Sequence, residues 1–304
     1  MHAMASEMNT IRFCILLIIA MLSIQSCKED KTREGEFSVL TYNVAGLPEG
    51  LSGSNPERYS SSISKLISDY NIVHVQEDFC YHDSLLLFDK HAYQTATTGC
   101  VNINGDGGDG LNTFSDYGIY NLKRFPWTDC TGADCLTPKG FSFSQIEFAP
   151  GYVIDFYNIH CNAGSSEASL AARRANLAQI CNYINTNSQG NAALVLGDFN
   201  SRYTREGDTI RALLDLGFQD AWITLERNGD VPAFGNSLGN CDRPRTNPDC
   251  ERVDKIFYRG NDRIELIPTD YMLDDDRFYY QGNDSLQLSD HWPVFATFQY
   301  KISD

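Results

Sequence analysis

The chain has 304 residues, enough for one large hydrophobic core or two small ones, so length leaves the domain count open. Hydrophobic residues make up 42% of it, and 40 acidic against 24 basic side chains give a formal net charge of −16. This balance argues against the broad basic face that nucleic-acid binding normally needs. It does not remove nucleases from consideration, because a bound divalent cation reverses the sign of an acidic cleft locally.

Arg12 precedes an apolar run from Phe13 to Ile24, which is short for a bilayer span and has the shape of an export signal. Its end, Ile24-Gln25-Ser26-Cys27, resembles the lipobox of bacterial lipoproteins, with Gln25 a less usual residue for that box. The resemblance implies a signal peptide over residues 1–27 and an exported outer-membrane lipoprotein, tethered to the membrane through a lipidated Cys27. An ordinary cleaved secretory signal is the alternative. Lys28-Glu29-Asp30 resembles the tag that sends some such lipoproteins to the cell surface. Residues 28–36 are expected to form a polar tether, and residues 37–304 the catalytic domain, acting as a monomer. Of ten cysteines, Cys14 lies in the signal and Cys27 ends it, leaving an even number for the mature domain. In an oxidising compartment that points to disulfides, and the short spacings single out Cys130–Cys135 and Cys241–Cys250. No CxxC pair supports a zinc site.

Phe37 to Val44 has the pattern of a strand and leads into a turn-rich stretch, Gly46 to Asn55. Pro56 opens a helix that carries Ile63, Leu66, Ile67 and Tyr70 at helical spacing. Asn71 to Gln76 is a short buried strand closing on Glu77. Gly105 to Gly110 is a flexible loop rather than a calcium repeat, since it occurs once and without a period. Tyr117 to Asn121, Phe143 to Phe148 and Tyr152 to Ile159 follow as strands. Glu167 to Ile184 is the strongest helix, with Leu170, Ala171, Leu177, Ala178, Cys181 and Ile184 predicted on its inner face. Next come a buried strand, Ala192 to Leu196, a helix from Asp208 to Leu216 ended by Gly217, and a long loop, Asn228 to Cys250. Val253 to Tyr258 and Pro293 to Tyr300 are the last strands. Strands and helices mix without repeat or linker, which indicates one α/β domain.

Polar residues gather where these strands end. Glu77 follows one, Asp198 and Asn200 another, and Ser289-Asp290-His291 precedes the last. Each has an ordinary reading: a solvated strand end for Glu77, an Asx-turn for Asp198 and Asn200, an ion pair with Arg252 or Lys255 for Asp254. Together they supply an anionic metal ligand, a base for water and neutral donors for phosphate oxygens, which is what metal-assisted phosphoester hydrolysis requires. His74, His82 and His91 fall outside this set and are read as structural.

The series Thr41-Tyr42-Asn43-Val44, Val75-Gln76-Glu77, Tyr157-Asn158-Ile159-His160-Cys161-Asn162, Leu196-Gly197-Asp198-Phe199-Asn200, Arg252-Val253-Asp254-Lys255-Ile256 and Leu288-Ser289-Asp290-His291 carries a resemblance. In order, and from Phe37 to Tyr300, it is similar to the endonuclease/exonuclease/phosphatase superfamily. The resemblance implies a deoxyribonuclease-like α/β fold, a four-layer sandwich of two packed mixed β-sheets flanked by helices, with the catalytic groups on loops at one edge. It also implies a hydrolase that uses Mg2+, with Mn2+ or another divalent cation as alternatives. His291 would be the base that activates water, and Asp254 would accept its other ring proton. Glu77 would be the principal metal ligand, assisted by Asn43 and Asp290. His160 and Asn200 would hydrogen-bond phosphate oxygens, while Asp198 positions the nucleophile or protonates the leaving group.

Two segments lean toward secreted neutral sphingomyelinases. Asp129 to Leu136 followed by Lys139-Gly140-Phe141 resembles a stretch found in them, and His160-Cys161-Asn162-Ala163-Gly164 is similar to their His-Leu-Gln-Ala-Gly. Cys161, Asn162 and Asp78 are departures. The expected partner is therefore a phosphoester substrate, with a membrane phospholipid first and nucleic acid behind it. Arg277-Phe278-Tyr279-Tyr280 would either dip into a lipid interface or pack on the core. An inositol phosphate or phosphoinositide phosphatase, drawing on Arg243, Arg245 and Arg252, is one alternative, an endonuclease another, and a surface binding module a third.

Overall fold

The computed structural model describes residues 33–100, 107–236, 238, 250–283 and 286–303. The chain begins with β1 (Arg33–Asn43), α1 (Pro56–Ile67), β2 (Ile72–Gln76), α2 (His82–Leu86), β3 (Tyr93–Gln94) and β4 (Asn112–Ser115). It continues with β5 (Ile119–Pro126), β6 (Gly140–Ala149), β7 (Tyr152–His160), α3 (Glu167–Asn187) and β8 (Ala193–Asp198). It ends with α4 (Ala212–Asp215), β9 (Gln219–Asp220), α5 (Ala221–Glu226), β10 (Asp254–Arg259), β11 (Ile264–Leu273) and β12 (Val294–Ile302).

Two mixed six-stranded sheets result, ordered β11-β12-β1-β2-β4-β3 and β5-β6-β7-β8-β10-β9. Each holds one parallel pair near its centre, β1 with β2 and β7 with β8, and is otherwise antiparallel. β1 shows why the sheets stack. Side chains alternate across a strand, so Phe37 and Val39 enter the larger core while Leu40 and Tyr42 face the other way, onto Ile63 and Ile67 of α1. On the second sheet Tyr157 and Leu194 share a core with Leu177, Ile180 and Ile184 of α3. The architecture is the expected sandwich of two sheets with helices outside.

The differences from expectation have physical causes. β1 starts at Arg33, inside the stretch read as tether, because Arg33 to Glu36 pair with Ile302 to Gln299 of β12. α3 is rotated relative to its hydrophobic pattern. Ala171 and Ala178 are exposed, whereas Arg173 and Asn176 are fully buried. Arg173 donates to the carbonyls of Asn162 and Gly164 and to Asp208, and Asn176 binds Asn162 N and Asp129 O. Polar partners set that face, and periodicity of apolar residues does not register them. The helix expected over Asp208 to Leu216 contracts to the four residues of α4. β11 was not anticipated. Its Pro268 sits beside a register shift on an edge strand, where proline is tolerated.

Cys130–Cys135 is bridged, as is Cys80–Cys100, while Cys161 and Cys181 are free. Cys250 is disulfide-bonded. Cys241, Arg243, Arg245, the signal and the first two residues of the Gly105 to Gly110 loop lie outside the described residues. The aromatics of the 277–280 segment pack inward: Phe278 meets Tyr42 edge-on at 5.1 Å, Tyr279 meets Trp292, and Tyr280 lies against Tyr59 and under Arg58.

His74 faces the space between the sheets, edge-on to Phe156. Burial lowers its pKa from 6.5 to about 3, so the folded protein holds it neutral. The unfolded chain takes up that proton first as pH falls, so the stability tied to neutral His74 is complete above pH 6.5 and drains away toward the folded value. The loss should reach on the order of 3 kcal/mol by about pH 4. Urea unfolding of wild type and His74→Leu at pH 7 and at about pH 4 should show the gap shifting in favour of the variant at acid pH. A gap independent of pH would exclude His74 as the source.

Candidate active site

Topology alone brings six strand ends to one edge. β1 and β2 run parallel and finish together, Asn43 beside Gln76, with Glu77 next. β7 and β8 likewise finish together, His160 beside Asp198. β10 runs antiparallel to β8, so its first residue, Asp254, lies opposite Asp198. β12 runs antiparallel to β1, so Val294 pairs with Thr41 and the preceding Asp290 and His291 reach the same rim. Residues separated by most of the chain thus meet in one pit.

The contacts confirm the convergence. His291 Nδ1 lies 2.9 and 3.1 Å from the two carboxylate oxygens of Asp254. Its Nε2 faces Asp198 Oδ2 at 3.7 Å. His160 Nε2 lies 3.4 Å from Asp198 and 3.8 Å from Glu77. Asn43 Nδ2 donates to Glu77 at 3.2 Å and to Asp198 at 3.4 Å, while its Oδ1 accepts from Ala45 N. Asn200 donates from its backbone to Asp198 Oδ1 and from Nδ2 to Asp198 Oδ2 and Cys161 O. Asp198 and Asn200 therefore form an Asx-turn and line the pit at once. Asp254 does not pair with Lys255, which projects from the opposite face to Glu251 and over Tyr203.

The backbone is bent to suit. Glu77 has φ 57°, a left-handed conformation that is costly for a residue with a Cβ. Gly46 N donates to Glu77 O, and a side chain at Gly46 would collide with that oxygen. A side chain at Gly53 would collide with Asp290. The loop after β1 thus runs close against both acidic residues. Asp78, a departure from the family-like pattern, accepts from Asn112 and lies 2.5 Å from His82, which pins the chain immediately after Glu77.

Crowded carboxylates shift one another. Burial, with Asp254 adding to it, pushes Asp198 up to about 6. Burial also raises Glu77, helped by Asp290 and opposed by Lys139 and Asn43. For His291, burial acts downward but Asp254, Asp198 and Asp290 outweigh it and hold the ring well above its ordinary value. Burial, then the charges of Lys139 and His291, keeps His160 neutral. Lys139 has no counterpart among the residues singled out from the sequence. Its side chain is only 10% exposed, pairs with Asp134 at 2.6 Å, and acts electrostatically on Glu77, Asp198 and His160. The signal was present, since Lys139 lies in the segment noted for its likeness to sphingomyelinases.

The donor set suits a hard cation. Asp198, Asp254 and His291 place ligand atoms within 4.8 Å of one another, but His291 already engages Asp254. Glu77, desolvated and with Asp290 adding negative charge, is the better seat, because magnesium takes one or two carboxylates and keeps its waters. Asn43 turns its amide nitrogen to Glu77 and so steadies that carboxylate.

The profile of endonuclease/exonuclease/phosphatase family 2 matches residues 19–243. A sphingomyelinase of Mycobacterium tuberculosis is 38% identical over 277 residues, which is 88% of this chain and 54% of that protein. The chain thus spans about half the length of the curated relatives it matches. Sphingomyelinase C from Streptomyces griseocarneus superposes with a TM-score of 0.60 at 19% identity, covering 86% of this chain and 99% of that one. A beta toxin from Staphylococcus aureus with bound magnesium ions gives 0.59 at 17% identity, covering 89% of this chain and 100% of that one. At such identities the structures speak for the fold.

Removing the negative charge of Asp254 should lower the proton affinity of His291. An NMR titration of the metal-free protein should place the His291 midpoint in Asp254→Asn below that of wild type. An unchanged midpoint would show that Asp254 is not what holds the ring protonated.

Proposed function

The chain belongs to endonuclease/exonuclease/phosphatase family 2, and from that membership we propose that it is a divalent-cation-dependent phosphodiesterase acting on a sphingomyelin-type lipid. The meeting of Glu77, Asp198, His160 and the Asp254–His291 pair in one pit carries this reading. Glu77, with Asp290 beside it, would hold the magnesium ion, which when bound neutralises phosphoryl charge and lowers the proton affinity of the groups around it.

The chain's own residues supply the rest. Asp254 fixes Nδ1 of His291, leaving Nε2 free for the pit. As the water oxygen bonds to phosphorus and the ester bond to the alcohol breaks, Nε2 takes the water's proton, Asp254 stabilises the imidazolium, and the departing alkoxide takes a proton from solvent to leave as the alcohol. Asp198 orients the same water from across the pit. Neutral His160 and the Asn200 amide donate to phosphate oxygens, and Lys139 adds positive charge where negative charge builds.

Other observations favour a lipid over nucleic acid. Leu51 and Leu136, 72% and 59% exposed, stand on the loops that carry Gly53 and Lys139 toward the pit. Neighbouring arginines are engaged by partners within the fold: Arg173 is buried against Asp208, Arg205 binds Asp208 and Asn200 O, and Arg174 pairs with Glu167 at the surface. The disulfides Cys80–Cys100 and Cys130–Cys135 suit an oxidising compartment. Export and anchoring through an acylated Cys27 complete the reading.

Sphingomyelin, plasmid DNA and an inositol polyphosphate offered in parallel should yield phosphocholine alone, with chelation abolishing turnover and magnesium restoring it. His291→Ala should lower kcat by about a thousandfold with KM little changed. Free phosphate or DNA nicking in place of phosphocholine would overturn the substrate, and equal slow turnover by both proteins would favour a binding module.

A further inference from the structure

The strand that follows the anchor is also the strand that reaches the pit. β1 enters the fold at Arg33, opposite Ile302, and ends at Asn43. Every strand that delivers a pit residue opens at the Asn43 edge, so Arg33 marks the far edge of the sandwich. Eleven residues of extended chain separate the two edges by roughly 33 Å. β1 is an inner strand, between β12 and β2, so the chain leaves from the middle of that far edge.

Only residues 28–32 lie between Cys27 and Arg33. Fully extended, that connection reaches about 21 Å. To lay the mouth of the pit on the anchoring bilayer, the connection would have to run back along the full height of the sandwich, which exceeds its span. Tipping the domain on its side leaves the mouth opening along the membrane instead of into it.

We propose that the anchored enzyme presents its pit away from the membrane that holds it and hydrolyses lipid in an apposed bilayer. This rests on the lipid-anchor and phosphodiesterase readings above. A tether that cannot span to the site removes the advantage of local concentration, so lipid in the enzyme's own leaflet is the poor substrate although it is the nearer one.

The acylated full chain, reconstituted into phosphatidylcholine vesicles, is given sphingomyelin either in its own vesicle or in separate vesicles. Separate vesicles should be hydrolysed about tenfold faster or more, and inserting about 20 Gly/Ser residues after Asp30 should raise the rate on the enzyme's own vesicle to match. A dye attached through an azide-bearing residue in place of Ser303, at the anchored edge, should be quenched by acceptors in the anchoring vesicle, and one in place of Leu51, on the rim, should not. Equal or faster hydrolysis of the enzyme's own vesicle without the insertion, equal quenching at the two positions, or a Cys27 without an acyl chain by mass spectrometry would each overturn the proposal. If sphingomyelin is cleaved in neither arrangement nor in detergent micelles, the substrate reading fails, and the quenching pair still decides the orientation.

Discussion

Gln76 and Asn158, both wholly buried, join the two sheets through a 2.7 Å hydrogen bond directly beneath the pit. Gln76 also bonds Thr41 on the neighbouring strand, and Asn158 donates to the carbonyls of Val75 and Asn112. Apolar faces alone could slide over one another at little cost. A fully satisfied amide pair between them cannot, because any offset strands buried polar groups. Glu77 follows Gln76 by one residue and His160 follows Asn158 by two, so fixing this pair fixes the Glu77 carboxylate against the His160 ring across the pit.

The pit it supports is electrostatically expensive. Asp254 and Asp198 are direct cross-strand neighbours, an arrangement that like charges disfavour, and Glu77 adds a strained backbone to a desolvated carboxylate. His291 and Lys139 offset part of this. A doubly flanked imidazole and a buried lysine are the positive charges that let these carboxylates coexist in a chain with a net charge of −16. Such a site is held together by its surroundings rather than by its own contacts, which is why polar residues occupy so much of the interior near it.

That surrounding shell extends well behind the pit. Asp208 accepts from Arg173, from Arg205 and from the backbone of Arg202, and through them ties the loop carrying Asn162 to the loop carrying Asn200. On the other flank Lys255, although adjacent to Asp254, is buried with Glu251 and the rings of Tyr203 and Trp222. Alternation along β10 thus divides one strand between the pit on its inner face and support on its outer face.

Local pattern was sufficient for the central strands, the helix from Pro56 and the ordered series of short motifs, because strand alternation and residue type at strand ends are properties of neighbouring residues. It was also sufficient to nominate Asn43, Glu77, His160, Asp198, Asn200, Asp254, Asp290 and His291. What it could not supply was anything set by partners distant in the chain. The face of α3 was decided by Asn162 and Asp208, the edge strand β11 by pairing with β12, and the Cys80–Cys100 bridge by the approach of two loops. The part played by Lys139 emerged the same way, since a charge matters to a carboxylate only through the distance between them in space. Residue chemistry was legible from order alone, while its convergence belonged to the tertiary structure, because parallel and antiparallel pairing determines which strand ends share an edge.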